Sequence, residues 1–122
     1  MIKILAADDE PGICDILKKT FGAIGFTVLT ATNGKEAVAL VKKEKPGIVF
    51  LDISMLGMSG FDVLKEIKRI DPSIKVNMLT VMDDVKAKET AKALGADEFI
   101  TKPFISEVLE EITRRQVAEL IK

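Results

Sequence analysis

Five times along this chain a short apolar or β-branched run is followed by a helical pattern, and that alternation restricts the fold more than any other feature. The runs are Ile2 to Ala6, Phe26 to Thr30, Ile48 to Leu51, Lys75 to Thr80 and Glu98 to Thr101, each of strand length. After them apolar residues recur at helical spacing: Ile13, Ile16, Leu17, Phe21 and Ile24; Ala37, Leu40 and Val41; Phe61, Leu64 and Ile67; Ala87, Ala91 and Leu94; Leu109, Ile112, Leu120 and Ile121. Strands joined by helix-length connections run parallel through right-handed crossovers, and a parallel sheet needs helices on both faces. The expected class is α/β. The first and third runs are the richest uninterrupted apolar stretches, as central strands buried on both faces require, and the strand order 2-1-3-4-5 fits them.

Boundary residues carry matching signals. Asn33 with Glu36 three residues on has the form of a capping box, Asp83 and Ser106 suit N-caps, Gly95 suits a left-handed helix end, and Asp71-Pro72 stops the third helix. Gly22-Ala23-Ile24-Gly25 reads as a helix end and turn. Asn77 is polar within the fourth strand pattern, so it needs a hydrogen-bonding partner or a place near the rim of the helical cover.

Composition then removes whole classes of function. At 122 residues the chain is expected to form one domain, 1–122. Its 18 basic and 19 acidic residues give a net charge of -1, which offers no positive field for a nucleic-acid backbone. The pair Arg114-Arg115 lies among Glu110, Glu111 and Glu119 and reads as a solvated helix face. No apolar run has the length of a membrane span, and Met1-Ile2-Lys3 leads into a strand pattern without signal-peptide organisation, so a cytoplasmic protein with no membrane partner is expected. The single cysteine, Cys14, sits beside Ile13 and Ile16 as a packing residue. Absence of histidine excludes Ser-His-Asp and Cys-His catalysis, histidine-bearing zinc sites and a phosphohistidine role. No Gly-rich loop ends in Gly-Lys-Ser or Gly-Lys-Thr, which excludes a P-loop.

The reactive side chains fall at the carboxyl ends of strands. Asp8, Asp9 and Glu10 follow the first, Asp52 closes the third, Thr80 closes the fourth and Lys102 follows the fifth. In a parallel sheet these ends share one edge, where open α/β sheets bind ligands. Carboxylates gathered there repel one another unless a cation neutralises them, and Mg2+ prefers carboxylate oxygens while keeping several waters. Asp9 and Asp52 are expected as direct ligands, Asp8 through water, and the backbone carbonyl of Ser54 as a further ligand; Mn2+ is an alternative ion. Lys102 and Thr80 bring a positive charge and a hydroxyl donor suited to phosphate oxygens. Singly, acidic pairs start helices, Thr ends strands and Lys-Pro makes turns. Their joint placement in four of five units favours the functional reading.

These residues carry a family resemblance. Asp8-Asp9-Glu10, Asp52 with the Met55 to Gly60 loop, Thr80 and Lys102-Pro103-Phe104 resemble the receiver signature of two-component response regulators, over essentially the whole chain. The resemblance implies a flavodoxin-like fold, phosphoryl transfer from a sensor histidine kinase or histidine phosphotransfer protein to Asp52, self-catalysed dephosphorylation, and a switched surface for a downstream protein or output domain. It also implies a switch made of Thr80 and Phe99, with Glu10, Val81 and Pro103 in support. Leu56 stands where the family commonly has proline, and Val81 where a smaller residue follows the threonine.

Two other functions share parts of this pattern. A haloacid-dehalogenase-like phosphatase also uses an Asp nucleophile, but it wants a second Asp two residues on, where this chain has Ser54, and its acidic pair comes last. A pseudo-receiver would keep the fold as an interaction platform without phosphorylation, a role that would not require the full acidic, Thr and Lys set.

Overall fold

The computed structural model describes residues 2–55, 57–81 and 85–122, and within them the alternation runs without interruption. The elements are β1 (Lys3–Ala7), α1 (Pro11–Gly22), β2 (Thr27–Ala31), α2 (Gly34–Glu44), β3 (Ile48–Asp52), α3 (Gly60–Ile70), β4 (Lys75–Thr80), α4 (Val85–Ala93), β5 (Glu98–Thr101) and α5 (Ser106–Leu120). The strands form one parallel sheet in the order β2-β1-β3-β4-β5, as expected. Every residue of β3 is buried, whereas the edge strands β2 and β5 are largely half-exposed.

Side-chain alternation along the strands divides the core in two. Leu5, Val49, Leu51, Val76 and Met78 pack with Val41 of α2 and with Val63, Leu64 and Ile67 of α3. Ile4, Ala6, Ile48, Phe50 and Leu79 pack on the other face with Leu17 and Phe21 of α1 and with Leu109 and Ile112 of α5. The rings of Phe21 and Phe50 stack there, with centroids 5.0 Å apart. Neighbouring strands β1 and β3 thus send α1 and α3 to opposite faces, which opens a crevice at their carboxyl ends.

Several boundaries differ from the sequence reading, for local reasons. The amide of Phe26 donates to Phe21 O at 3.1 Å, closing the end of α1, so β2 begins one residue later, at Thr27. β1 is displaced by the same amount and ends at Ala7, paired in register with Ala31. Asn33 caps α2 by accepting from the Glu36 amide at 2.8 Å, but the Glu36 carboxylate takes the amide of Thr32, not that of Asn33. Ser106 is not an N-cap: Val108 N donates to Ile105 O at 3.1 Å, which makes Ile105 the cap, without a side-chain bond. Gly95 does take a left-handed conformation, with φ +98, and Asp71 ends α3. Ile16, Ile24 and Ile121 are exposed and do not join the core stripe. The expected cap at Asp83 and the departure at Leu56 lie outside the described residues.

Asn77 finds its partner across the sheet–helix interface. It exchanges two amide hydrogen bonds with Gln116 of α5, at 3.0 and 2.6 Å, and both side chains are buried. A satisfied pair of this kind adds little net stability, but losing either member leaves a buried amide unpaired at about 1–3 kcal/mol.

Candidate functional site

At the carboxyl edge the backbone directs each acidic side chain separately. The amide of Asp8 donates to Ala31 O at 3.0 Å, so the chain is held to β2 just beyond the end of β1. The Asp8 carboxylate, 0% exposed, then accepts the Glu10 amide at 3.0 Å through one oxygen and the Lys102 ammonium at 2.7 Å through the other. Asp52, 5% exposed, closes β3 and accepts the amide of Ser54 at 3.2 Å.

Lys102 reaches this point because its own amide donates to Thr80 O at 2.7 Å, fixing the chain as it leaves β5. Its ammonium lies 3.7 Å from Asp52 and 3.8 Å from Glu10, with the side chain only 9% exposed. Thr80 is buried at the end of β4. Val81, next in sequence, is 74% exposed. Pro103 follows Lys102 through a cis peptide bond. Phe99, half-buried on β5 opposite Met78 of β4, carries the Lys88 ammonium 5.8 Å from its ring centroid.

Among the described residues, electrostatics mark Asp52 as a strongly perturbed acid. Burial pushes its carboxyl up to about 6, with the charge of Asp8 next and that of Asp9 adding to it, while Lys102 and the Ser54 amide pull the other way. For Lys102 burial alone would favour the neutral amine, but the bond to Asp8 and the charges of Asp52, Asp8 and Glu10 outweigh it and hold the ammonium above its ordinary value.

The carboxylate oxygens of Asp8, Asp9 and Glu10 lie within 4.8 Å of one another, and Asp52 stands outside that tight group. Four acids around a single lysine leave surplus negative charge, and an all-oxygen donor set fits a hard divalent cation.

Two residues beneath the site have roles the sequence reading did not assign. Cys14 directs its thiol to Asp8 O at 3.4 Å, and burial raises its pKa, so it stays a neutral donor where β1 and β2 part. Gly60 lies against the backbone of Asp52 and Ile53 and donates its amide to Ile53 O at 2.7 Å. A side chain there would collide with the Asp52 carbonyl oxygen and come within 2.5 Å of Ile53 Cα. Its place at the start of a helix that follows the Asp52 loop was the available signal for a close approach.

A five-unit parallel sheet with acids after β1, Asp at the end of β3, Thr at the end of β4 and Lys after β5 defines a receiver-type signalling module. The chain belongs to the response regulator receiver domain family, whose model matches residues 4–114. It is 36% identical over 113 residues to "Sporulation initiation phosphotransferase F" of Bacillus subtilis strain 168, covering 92% of this chain and 91% of that protein. To "Probable transcriptional regulator ycf27" of Guillardia theta it is 41% identical over 108 residues, 88% of this chain but 42% of that protein. The chain therefore spans less than half the length of that regulator. Among solved structures it resembles the response regulator TrrA of Thermotoga maritima in complex with Mg2+ and BeF, at 33% identity and a TM-score of 0.86, covering 95% of this chain and 99% of that one.

Receiver domains are signalling phosphoacceptors, not enzymes in the ordinary sense. They generally bind Mg2+ and interact with histidine kinases or phosphotransfer proteins and with output domains. The phosphatase alternative gains no support from these relatives. Among the described residues no helix is long and apolar enough to cross a membrane.

Proposed function

We infer that residues 1–122 form one receiver domain in which Asp52 accepts a phosphoryl group from the phosphohistidine of a sensor kinase or phosphotransfer protein. The observation that carries this reading is the buried Asp52 carboxylate, raised to about 6 among surplus acids, with Lys102 3.7 Å away. One Asp52 oxygen attacks phosphorus, the donor's nitrogen–phosphorus bond breaks, and an acyl phosphate results. Attack by water later releases inorganic phosphate and restores the carboxylate, in a reaction assisted only by the domain's own site.

Lys102 supplies a fixed positive charge to the phosphoryl oxygens, and Thr80 a hydroxyl donor, both from largely buried side chains, where such contacts are strong. Asp9, Asp52 and the Ser54 carbonyl would hold Mg2+, with Mn2+ as a substitute. Both Asp8 oxygens are already engaged, by the Glu10 amide and Lys102, which supports an outer role for Asp8 through water. When bound, Mg2+ screens the carboxylates and draws charge from the phosphoryl oxygens.

Glu10 and Pro103 help position Lys102, exposed Val81 borders the entry, and Thr80 with Phe99 relays the change to a downstream protein or output domain. A cytoplasmic setting follows from that role, with no nucleic-acid or membrane contact by this segment.

The test is intact-mass measurement after acetyl phosphate, with and without Mg2+. A labile, Mg2+-dependent adduct that maps to Asp52 and is missing in Asp52→Asn is expected. A wild-type protein that takes no label from acetyl phosphate or from a phosphorylated donor would instead be a phosphorylation-independent interaction platform.

A further inference from the structure

A second concavity lies away from the acidic edge. It is a cleft of about 900 Å³ between α2 and α3, with Val38, Ala39 and Met58 as its apolar lining and Lys35, Lys42 and Glu66 along its sides. Lys35 and Lys42 are seven residues apart on α2, two helical turns, and so project on the same side. Both are exposed, and neither makes an ion pair among the described residues. Glu66, on the opposite wall, is already bonded to Arg69 of its own helix. Lys42 acts on Glu66 only at longer range, so with Arg69 already paired to Glu66 the rim keeps an excess of positive charge, although the protein's net charge is -1.

The cleft also reaches the loop that follows Asp52. Gly34, the first residue of α2, has no room for a side chain: a Cβ there would lie 2.7 Å from Val63 Cγ2 and 2.8 Å from Met58 Cβ. That close approach seats the start of α2 directly on Met58. Gly57 and Met58 line both this cleft and the adjoining cavity that contains Asp9 and Ser54. An occupant of the cleft would touch the loop bordering the acidic site while leaving α1 and α5 uncovered.

We propose that the α2–α3 cleft is a docking site for an acidic amphipathic helix of a partner protein. Its apolar stripe lies on Val38, Ala39 and Met58, and its carboxylates face Lys35 and Lys42. A trough between two helices accepts a third through anchors spaced at helical intervals, and opposite charge on the rim selects the partner and fixes its orientation. Because the loop is shared, occupancy of the cleft and occupancy of the acidic edge are coupled, each changing the affinity of the other by the same factor.

The experiment uses the metal-free protein, so its outcome does not depend on phosphorylation at Asp52. The probe is a synthetic helix with Leu along one stripe and Glu on both flanks; the controls are the same peptide with its Leu positions scrambled and a version with Lys in place of Glu. Amide shifts in the NMR spectrum should move at Val38, Ala39, Gly57 and Met58 with the acidic helix alone. Lys35→Glu with Lys42→Glu, both at exposed positions, should weaken binding by about tenfold or more without altering the spectrum elsewhere. Equal binding of the basic or scrambled peptide, shifts centred on α1 or α5, or no binding would overturn the proposal. So would self-association of the protein through this face that the double substitution abolishes, which would make the occupant a second copy of the chain.

Discussion

Lys102 makes its shortest contact with Asp8, at 2.7 Å, and stands 3.7 Å from Asp52. Its ammonium is thus the counter-ion of the fully buried Asp8 first and of the proposed phosphoacceptor only second.

Lys102→Ala is accordingly expected to destabilise the metal-free fold as well as to impair phosphorylation. Removing one member of a buried pair leaves the other charge uncompensated, at about 3–5 kcal/mol at most. Mg2+ should recover part of the loss, because it supplies the missing positive charge. Denaturant unfolding with and without Mg2+ measures both; a variant as stable as the parent without metal would show that Asp8 does not depend on Lys102.

The raised Asp52 carboxyl makes stability depend on pH in a defined sense. Its pKa is about 6 in the folded protein against an ordinary value of 3.8, so between those values the folded state binds more protons than the unfolded state. Stability of the metal-free protein then falls as pH rises through that window, by an amount on the order of 3 kcal/mol from this group. Asp52→Asn should flatten the profile and, at neutral pH, be the more stable protein without metal. A parent profile that rises across the same window, with the Asp52→Asn profile parallel to it, would contradict the assignment.

Mg2+ should stabilise the parent, because the acids come together only on folding. At ten times its dissociation constant the gain is about 1.4 kcal/mol. Asp9→Ala should lose this response while its metal-free fold is equal or more stable, one repelling charge having been removed. An undiminished Mg2+ response in Asp9→Ala would remove Asp9 from the ligand set.

Much of this was legible in the sequence, because strand and helix periods differ and the reactive residues recur at the same end of successive units. Asp52, Thr80 and Lys102 could be assigned to one edge from topology alone. Which acid Lys102 bonds could not, since that depends on distances of an ångström between chain ends far apart in sequence. The partner of Asn77 was hidden for a related reason: Gln116 lies among charged residues on α5, and only the rotation of that helix turns it inward. Ser106 misled because a good capping side chain says nothing about where the first helical bond closes, and here Ile105 accepts it. Ile16 lies on the exposed side of α1 and Ile24 beyond its end at Gly22, so neither joins the buried stripe of Cys14, Leu17 and Phe21.

Two glycines that look alike in sequence should respond oppositely to alanine. Gly60→Ala would press Cβ into the backbone of Asp52 and Ile53, which cannot move aside as a flexible side chain can. A loss of more than about 2 kcal/mol is expected, together with weaker Mg2+ binding as Asp52 is displaced. Gly12, in the first turn of α1, has nothing within 4 Å of its missing Cβ, and Gly12→Ala should gain up to roughly 0.5–1 kcal/mol. Equal effects in thermal unfolding would mean that Gly60 is not in close contact with the end of β3.

Phe99 lacks the hydroxyl with which a tyrosine could hold an outward position, but the Lys88 ammonium, 5.8 Å from the ring centroid, provides a different hold. An exposed cation–π contact is worth about 0.5–1 kcal/mol, enough to change the ratio of two ring positions roughly two- to fivefold. The proposed switch runs from Asp52 through Thr80, whose hydroxyl is drawn toward added phosphoryl oxygens and vacates space for the ring. Lys88→Met should therefore shift Phe99 toward its inward position before any phosphorylation, and Thr80→Ala should uncouple the ring from Asp52. Both can be read from Phe99 ring and neighbouring amide shifts by NMR, with and without Mg2+ and beryllofluoride, which should occupy Asp52 in every variant. Shifts around Phe99 that respond to beryllofluoride as strongly in Thr80→Ala as in the parent would defeat the relay, and a Lys88→Met spectrum unchanged at Phe99 would show that the ammonium does not hold the ring.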